Sequence, residues 1–219
     1  MIAPEDARFL ARAFGRLLDV ELTVCLATRP TRVTALSPWE RDRYRHLATA
    51  ARRASWLRGR SALKMLLRRL GEPDDTGTLS FPNRRCSLTH SGPYALAVGT
   101  SPGMLRGLGV DLEVNGPPHP AAARMFLTRR EMATLRRIPG PARPGELLRL
   151  WTAKEAVFKC DPDNHGRILA DYEINAPRDW VGSARRAGNV RGAEFLYACL
   201  RTRGGFFSLA IMPGKESRT

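Results

Sequence analysis

Three prolines and a glycine interrupt the chain near its middle, in the segment NGPPHP at residues 115–120. Proline has no backbone donor, and both residue types disfavour helix, so no regular element is expected to run through this segment. On each side of it the sequence predicts long helix followed by three short strands. The chain therefore divides into an N-terminal half, residues 1–115, and a C-terminal half, residues 116–219, which we expect to be two similar α+β units.

The N-terminal half begins with an amphipathic pattern in residues 1–18, for which we expect only packing against that half. A long helical region follows, in which Ser37 is an N-cap, Glu40 completes a capping box and Gly71 provides the C-terminal stop. Short β runs surround it and are separated by glycine-rich turns. They are VELTVCLA (20–27), RCSLTH (85–90), YALAVGT (94–100) and GLGVDLEV (107–114).

The C-terminal half repeats this order. Its first helix is predicted in LTRREMATLRRI, where Thr128 is the N-cap and Glu131 lies three residues on, and its second in residues 144–159. Three strands are predicted after these helices, in ILADYEI (168–174), AEFLYACL (193–200) and FFSLAIM (206–212). No sequence repeat relates the two halves, so their similarity is inferred from element order alone.

The composition is that of a folded and strongly basic protein. Hydrophobic residues make up 43% of the chain and charged residues 26%, as in packed globular domains. The formal net charge of +15 attracts polyanions such as nucleic acid, an anionic membrane, a phosphorylated ligand or an acidic protein. A nucleic-acid-binding module is therefore an alternative, although the sequence contains no recognisable helix-turn-helix, zinc finger or aromatic-studded sheet. Heavy arginine use also follows from genome base composition, so charge alone does not choose the partner.

The sequence has no features of a membrane span, a secretory signal or a cysteine metal site. No apolar run reaches the about 18 residues that a spanning helix needs. Acids and arginines interrupt the N-terminal pattern too early for a signal peptide. The four cysteines are scattered without a CxxC pair. We therefore expect reduced thiols and a cytoplasmic protein that does not enter a membrane.

Two acids alternate in the run GLGVDLEV. In a strand, Asp111 and Glu113 project from the same face, with their Cα atoms roughly 7 Å apart. Neighbouring carboxylates repel each other unless a positive group lies between them. Mg²⁺ is a natural partner, because it is usually held by one or two carboxylates together with water and substrate phosphate. The other interpretation is an exposed strand face whose acids pair with arginines.

The helical segment LWTAKEAVFK contains two of the four lysines of a chain with 36 lysines and arginines. Glu155 and Lys159 lie four residues apart and share a helix face, as in an ordinary surface pair. Arginine would serve such a pair equally well. Lysine differs because it is a compact charge that contacts phosphate oxygen, and because its pKa can be lowered until it donates a proton. We therefore expect Lys159, and Lys154 with it, to take part in site chemistry.

A third candidate lies in SLTHSG, where Thr89 and Ser91 flank His90 with hydroxyls. A lone histidine at a strand end is more often structural than functional. The neighbouring hydroxyls favour the approach of a ligand that carries phosphate. In LRGRSALKMLL, Arg60 next to Ser61 offers a planar fork that grips phosphate, although one arginine among so many carries little information alone.

Taken together, these segments resemble the 4'-phosphopantetheinyl transferases of the surfactin-synthetase-activating type. The resemblance covers roughly residues 36–211. It is carried by RGRSAL (58–63), SLTHSG (87–92), GVDLE (109–113) and WTAKEAVFK (151–159), with FLTRREMATL (126–135) between the last two.

The resemblance implies an α+β class and a pseudo-dimeric 4'-phosphopantetheinyl transferase fold. Two similar halves, each with a long helix packed on a three-stranded antiparallel sheet, would form a single globular unit and a monomer. Coenzyme A would lie in the cleft between the halves. The enzyme would transfer the 4'-phosphopantetheine arm of coenzyme A to a serine of an acidic acyl or peptidyl carrier protein and release adenosine 3',5'-bisphosphate. The carrier would serve polyketide, nonribosomal peptide or fatty acid synthesis.

The family's site residues carry over to matching positions of this sequence. The resemblance implies an Mg²⁺ site formed by Asp111, Glu113 and Glu155. It implies that Glu155 accepts the serine proton and that Lys159 contacts the diphosphate. It also implies a nucleotide site in which His90 binds the 3'-phosphate, with Thr89, Arg60 and Ser61 nearby.

The sequence departs from the family in two places. A Gly-Lys-Pro tripeptide often precedes the SLTHSG motif, and its lysine helps to hold the nucleotide. Here TLSFPNRRCSLTH has no lysine, so either Arg84 or Arg85 replaces it or the contact is absent. CDPDNHGRIL also differs from the usual glycine-lysine-glycine loop at the edge that faces the carrier. A member that binds coenzyme A without transferring the arm is a further alternative.

Overall fold

The structure is a computed structural model that describes residues 4–188, 194–202 and 205–214. Its helices are α1 (Pro4–Leu18), α2 (Pro38–Arg45), α3 (Ala50–Arg69), α4 (Ala123–Phe126), α5 (Arg129–Arg136) and α6 (Arg143–Cys160). Its strands are β1 (Thr23–Ala27), β2 (Cys86–Ser91), β3 (Tyr94–Gly99), β4 (Leu105–Glu113), β5 (Tyr172–Ile174), β6 (Val181–Arg186), β7 (Glu194–Thr202) and β8 (Gly205–Pro213).

The strands form two antiparallel sheets of unequal size, which confirms the α+β class. The first sheet has the expected number of three strands, in the order β1-β3-β2, but β1 takes the place expected for β4. The second has five strands where three were expected, in the order β4-β8-β7-β6-β5. The extra strands are β4, which comes from the chain before the linker, and β6. The sequence of β6, VGSARR, has neither an apolar run nor clean alternation, so periodicity did not reveal it.

Strand β4 was grouped with β2 and β3 from the sequence, but it pairs with β8 from Leu105 to Glu113. One face of β4, formed by Leu108, Val110 and Leu112, is fully buried in a core that both sheets share. The apolar alternation of β4 therefore determines which sheet the strand joins, and its position along the chain does not. The division at residues 115 and 116 stays a prediction, since this core continues across it.

Helix α1 lies under both sheets and not only against the N-terminal half. It contacts β1 of the first sheet and β7 of the second. Leu10, Phe14 and Leu18 are buried in the shared core. Fully burying one such side chain contributes about 1.5–3 kcal/mol relative to leaving it exposed. We therefore assign to α1 the role of joining the two sheets, which the sequence did not indicate.

The helical region predicted from Ser37 to Gly71 is divided in two. Helix α2 ends at Arg45, and a new N-cap, Thr49, starts α3 by accepting a hydrogen bond from the Arg52 amide. Its predicted end is confirmed, because Gly71 follows α3 with φ +73°, a conformation that side chains other than glycine rarely adopt.

A buried ion pair links α2 and α3 of the N-terminal half. The predicted capping box is confirmed, with Ser37 and Glu40 each bonding the other's backbone amide. The Glu40 carboxylate is fully buried and lies 2.9 Å from Lys64 Nζ on α3. The Thr76 hydroxyl also donates to it, at 2.6 Å. A cap that would contribute about 1 kcal/mol on its own thus becomes part of a buried polar network.

The C-terminal half contains a corresponding capping box and buried ion pair, formed by different residues. Thr128 and Glu131 form the predicted capping box at the start of α5. The Glu131 carboxylate is fully buried and lies 2.6 Å from Lys154 Nζ on α6, and it also accepts the Ile174 amide. The correspondence of these two networks supports the similarity of the halves with specific contacts. It also explains why two of the chain's few lysines are not arginines, since each is a compact cation inside a buried pair.

Within the described ranges, no helix is both long and apolar enough to cross a membrane. All four cysteines are described there, and each is a buried, free thiol. Burial raises the pKa of the Cys86 thiol to about 11, so it is protonated at neutral pH. Free thiols at all four positions agree with the expectation of reduced cysteines.

Candidate active site

Two glycines let α6 lie directly on β4. A Cβ atom at Gly109 would be 2.5 Å from the Cys160 amide nitrogen and closer still to the Ala156 carbonyl oxygen. A Cβ atom at Gly107 would overlap the Cys160 carbonyl group in the same way. These neighbours are helix backbone atoms, which cannot move aside as a side chain would. The alternating glycines of GLGVD therefore have a packing role, and they bring α6 side chains over the acidic end of β4.

This approach brings the two acidic motifs together. Asp111 is only 4% exposed, and its Oδ1 atom lies 2.6 Å from Lys159 Nζ. The same ammonium lies 3.7 Å from Glu155 Oε2. Glu113, two residues along β4, is close enough for its charge to raise the pKa values of both Glu155 and Lys159. The alternative interpretation, an exposed strand face, does not hold for Asp111, and the structure brings Asp111 and Glu155 to the same lysine, Lys159. The site formed by all three acids stays a prediction.

The pKa values of these groups reflect burial and crowding. Burial raises the pKa of Glu155, and the charges of Asp111 and Glu113 raise it further against the opposing effect of Lys159. Burial likewise raises the pKa of Glu113, although hydrogen bonds from Ser91 and Trp151 counteract the rise. Both carboxyls are thus nearer to neutrality than isolated glutamates and would gain from a nearby cation.

Lys159 behaves differently from the sequence-based expectation of a lysine with a lowered pKa. Burial alone would lower its pKa, but the neighbouring Asp111 and Glu155 carboxylates outweigh burial and raise it. Lys159 therefore stays an ammonium at neutral pH and acts as a fixed charge rather than as a proton donor.

The three carboxylates suit Mg²⁺ in chemistry and charge. Oxygen ligands are what this ion prefers, and Asp111 Oδ2 is buried without a hydrogen-bond partner in the part of the chain that the structure describes. Their present spacing is not a finished ligand set. Across residues 4–188, 194–202 and 205–214 no group of three or more histidine, cysteine, aspartate or glutamate side chains is arranged to hold a metal ion. The Lys159 ammonium occupies the space beside Asp111 and Glu155 instead.

A cationic surface adjoins these acids. Loss of hydration lowers the pKa of His90, and the positive charges of Lys159 and Arg58 lower it further, against the opposing charge of Asp111. The ring is therefore neutral at neutral pH, yet it is exposed beside two permanent cations. Arg58, which the sequence reasoning passed over, donates to the Gly92 carbonyl at the turn after His90. Such a cluster suits the phosphate groups of a ligand.

The other predicted nucleotide residues have mixed positions. Arg60 is buried on α3, where it donates to the Thr76 hydroxyl and lies over the Trp56 ring. Its Nε group, like that of Arg58, is buried without a hydrogen-bond partner among the described residues. Ser61 is half-buried on α3. Of the two arginines considered as lysine replacements, Arg85 bonds Glu72 at 2.9 Å, and Arg84 is exposed.

Two predictions concerned side chains that are engaged elsewhere. Lys154, expected to join Lys159 in site chemistry, is fully buried in its pair with Glu131 and does not reach the acids. This part of the lysine interpretation is wrong. The Thr89 hydroxyl, expected near the nucleotide, donates to Asp111 Oδ1 at 2.9 Å, while its nucleotide role stays a prediction.

The sequence also gave no sign of the Trp151 contact with Glu113. Trp151 begins the WTAKE segment on α6 and packs edge-on against Phe126 of α4, with ring centroids 4.9 Å apart. Its hydrogen bond to Glu113 helps to keep that carboxylate ionised. Only the motif as a whole, and not the residue type, pointed to this region.

Comparison with known proteins supports the sequence-based resemblance in its general form. A search of curated proteins found no match for this chain. Residues 107–204 match the family model described as the 4'-phosphopantetheinyl transferase superfamily. This range covers slightly under half of the chain and contains Asp111, Glu113, Glu155 and Lys159. The match thus supports placing this chain in the 4'-phosphopantetheinyl transferase superfamily.

Proposed function

We propose that this protein transfers the 4'-phosphopantetheine arm of coenzyme A to a serine of an acyl or peptidyl carrier protein, as transferases of the surfactin-synthetase-activating type do. The observation that carries the proposal is the contact of 2.6 Å between Lys159 and Asp111, with Glu155 beside them. It joins two motifs separated by about forty residues of sequence. The superfamily match over residues 107–204 supports the same reaction class.

In this reaction the serine oxygen attacks the phosphorus next to the pantetheine arm, and the bond to adenosine 3',5'-bisphosphate breaks. Glu155 would accept the serine proton directly or through a water molecule. Lys159 would move its ammonium from Asp111 towards the diphosphate and offset the charge that grows on the leaving group. Mg²⁺, held by Asp111, Glu113 and Glu155, would supply charge neutralisation of the diphosphate.

The cationic surface beside the acids is suited to the nucleotide end of coenzyme A. His90 would contact the 3'-phosphate, and the Arg58 guanidinium, which bonds the turn after His90, would provide a further positive charge. Thr89 and Ser61 would lie next to this surface.

The charge of the whole chain fits the proposed second substrate. Carrier proteins are typically acidic around the modified serine, and a partner with a formal net charge of +15 would meet them faster at low ionic strength. The same charge would also attract nucleic acid. However, a module that only binds nucleic acid would have no role for buried acids that pair with a lysine.

The proposed activity is tested by incubating an apo carrier protein with coenzyme A, Mg²⁺ and this protein, followed by mass spectrometry of the carrier. We expect a mass gain equal to the phosphopantetheine arm. Glu155→Gln keeps the shape of the side chain but removes the proposed base and weakens a proposed Mg²⁺ ligand, and should slow transfer by at least about 10²–10⁴-fold. Binding of coenzyme A without any mass gain on several carriers would instead indicate a non-catalytic binder, and tight binding to duplex DNA alone would favour the nucleic-acid alternative.

Lys159→Arg should not be silent although it keeps the positive charge. A guanidinium is larger and planar, so it cannot occupy the space between Asp111 and Glu155 in the same position. A displacement of about 1 Å at a reacting group can cost roughly 10²-fold in rate, and we expect a loss of that order in the carrier assay. The reverse exchange Arg106→Lys, at an exposed position on β4, is the matched control and should leave turnover unchanged. Equal rates for Lys159→Arg and wild type would show that the compact charge is not needed.

A further inference from the structure

The two sheets meet along a line of side-chain hydroxyls between β2 and β4. These strands belong to different sheets, yet Ser87, Thr89 and Ser91 of β2 accept hydrogen bonds from backbone amides along β4 and just past its end. The donors are the amides of Val110 and Leu112 in β4 and of Val114, which follows the strand, at 3.0, 3.3 and 3.1 Å. Both series advance by two residues, so alternate positions of one strand serve alternate positions of the other. We call this line of three hydroxyls the hydroxyl seam.

Two of the three seam hydroxyls have a second partner. Thr89 donates to Asp111 Oδ1 at 2.9 Å, and Ser91 donates to Glu113 Oε2 at 2.9 Å. A hydroxyl has one proton and accepts through its lone pairs. Since each of these oxygens already accepts a backbone amide, its proton is available for the carboxylate. Ser87 bonds the Val110 amide and faces no acid, because the neighbouring residue on β4 is Gly109.

The seam determines which carboxylate oxygens are engaged. Asp111 Oδ1 receives both Thr89 and Lys159, whereas Oδ2 is buried and has no partner within the described residues. Glu113 Oε2 receives the Ser91 hydroxyl. An acid fixed in this way presents one predetermined oxygen to a ligand and loses little side-chain freedom when it binds.

We infer that Thr89 and Ser91 are positioning residues that hold Asp111 and Glu113 for a divalent cation and that couple the junction of the two sheets to the affinity of that site. This inference rests on the proposed function only in assuming that the acids bind a metal ion. It assigns a specific task to Thr89, whose hydroxyl proton is directed to Asp111 rather than to the solvent. The same oxygens bridge β2 and β4. A cation that fixes the positions of the two acids therefore also stabilises the hydrogen bonds of the hydroxyl seam.

The test uses Mn²⁺ as the probe and the full-length protein without coenzyme A or carrier. Electron paramagnetic resonance of free Mn²⁺ gives the dissociation constant, and thermal unfolding with and without saturating Mn²⁺ gives the stabilisation by the ion. Thr89→Val keeps the shape but removes the hydroxyl, and we expect a roughly 10- to 100-fold weaker affinity, the usual effect of removing a group that orients a metal ligand. Thr89→Ser, which restores the hydroxyl, should bind Mn²⁺ nearly as the wild type does.

Ser87→Ala is the matched control, because it removes a seam hydroxyl that touches no carboxylate. It should lower the melting temperature about as Thr89→Val does but leave the Mn²⁺ dissociation constant unchanged. Ser91→Ala provides a second test if Thr89→Val folds poorly, and a weaker affinity for Mn²⁺ is expected there too, because the variant loses the hydroxyl that donates to Glu113.

The outcomes separate this inference from the proposed function. Wild-type affinity in folded Thr89→Val and Ser91→Ala would overturn the positioning role and leave the metal assignment intact. If Ser87→Ala loses as much Mn²⁺ affinity as Thr89→Val, the positioning role is also overturned. The loss would then come from a general destabilisation of the contact between β2 and β4. If the wild type binds no Mn²⁺ at all, the metal assignment fails and the inference fails with it.

Discussion

Gly109→Ala is expected to abolish transfer and to destabilise the fold by several kcal/mol. The new methyl group would lie 2.5 Å from the Cys160 amide and closer to the Ala156 carbonyl, both part of the α6 backbone. Inserting a methylene into a well-packed core typically costs about 1–3 kcal/mol, and an obstacle made of backbone places this variant at or beyond the upper end. Relief of the clash requires α6 to move away from β4, which would separate Glu155 from Asp111.

Chemical unfolding and the carrier assay measure these two effects separately. Gly145→Ala is the matched control, because it makes the same change within α6 at a position with no atom within 4 Å of the added Cβ. Alanine is the better helix former by about 0.5–1 kcal/mol, so this variant should be as stable as the wild type or slightly more stable. Wild-type stability and turnover in Gly109→Ala would show that α6 does not lie on β4 as described.

Lys154→Met is expected to cost about 3–5 kcal/mol of folding stability, the usual penalty for leaving one charge of a buried pair without its partner. Both side chains of the pair are fully buried, and the Glu131 carboxylate also accepts the amides of Thr128 and Ile174. Turnover by the folded fraction should stay within a factor of about two, since Lys154 does not reach the acidic site. Unfolding in denaturant together with activity per folded molecule gives both quantities.

Two further variants test whether the loss of stability comes from the unpaired buried charge. Lys64→Met breaks the corresponding pair with Glu40 and should show a similar loss of stability. Adding Glu131→Gln to Lys154→Met removes the unpaired charge and should recover part of the loss. A large fall in turnover by Lys154→Met without loss of stability would restore Lys154 to the catalytic site.

The sequence predicted those features that depend on local patterns. Capping boxes at Ser37 and Thr128 are set by side chains three residues apart, and both are present. Alternation placed Asp111 and Glu113 on one strand face. The resemblance to a family implied that these acids meet Glu155 and Lys159, and the structure brings Asp111 and Glu155 to Lys159. The shared site with Glu113 stays a prediction.

What the sequence missed depends on contacts between distant segments. Nothing local states that β4 pairs with β8 instead of the adjacent hairpin, because antiparallel partners are chosen by burial in the folded chain. The roles of Lys154 and Lys159 could not be distinguished from residue type. They differ because one faces Glu131 and the other faces Asp111. The alternation of Ser87, Thr89 and Ser91 was visible, but its meaning required knowing that β4 lies beside β2.

The most direct test of the site is a crystal structure with coenzyme A and Mn²⁺, in which anomalous scattering locates the ion. We predict one Mn²⁺ bound by Asp111, Glu113 and Glu155 next to the diphosphate. We also predict that Lys159 Nζ leaves Asp111 Oδ1, from which it is 2.6 Å here, and contacts a phosphate oxygen. An ion bound away from these three acids, or coenzyme A bound with Lys159 still on Asp111, would contradict the account.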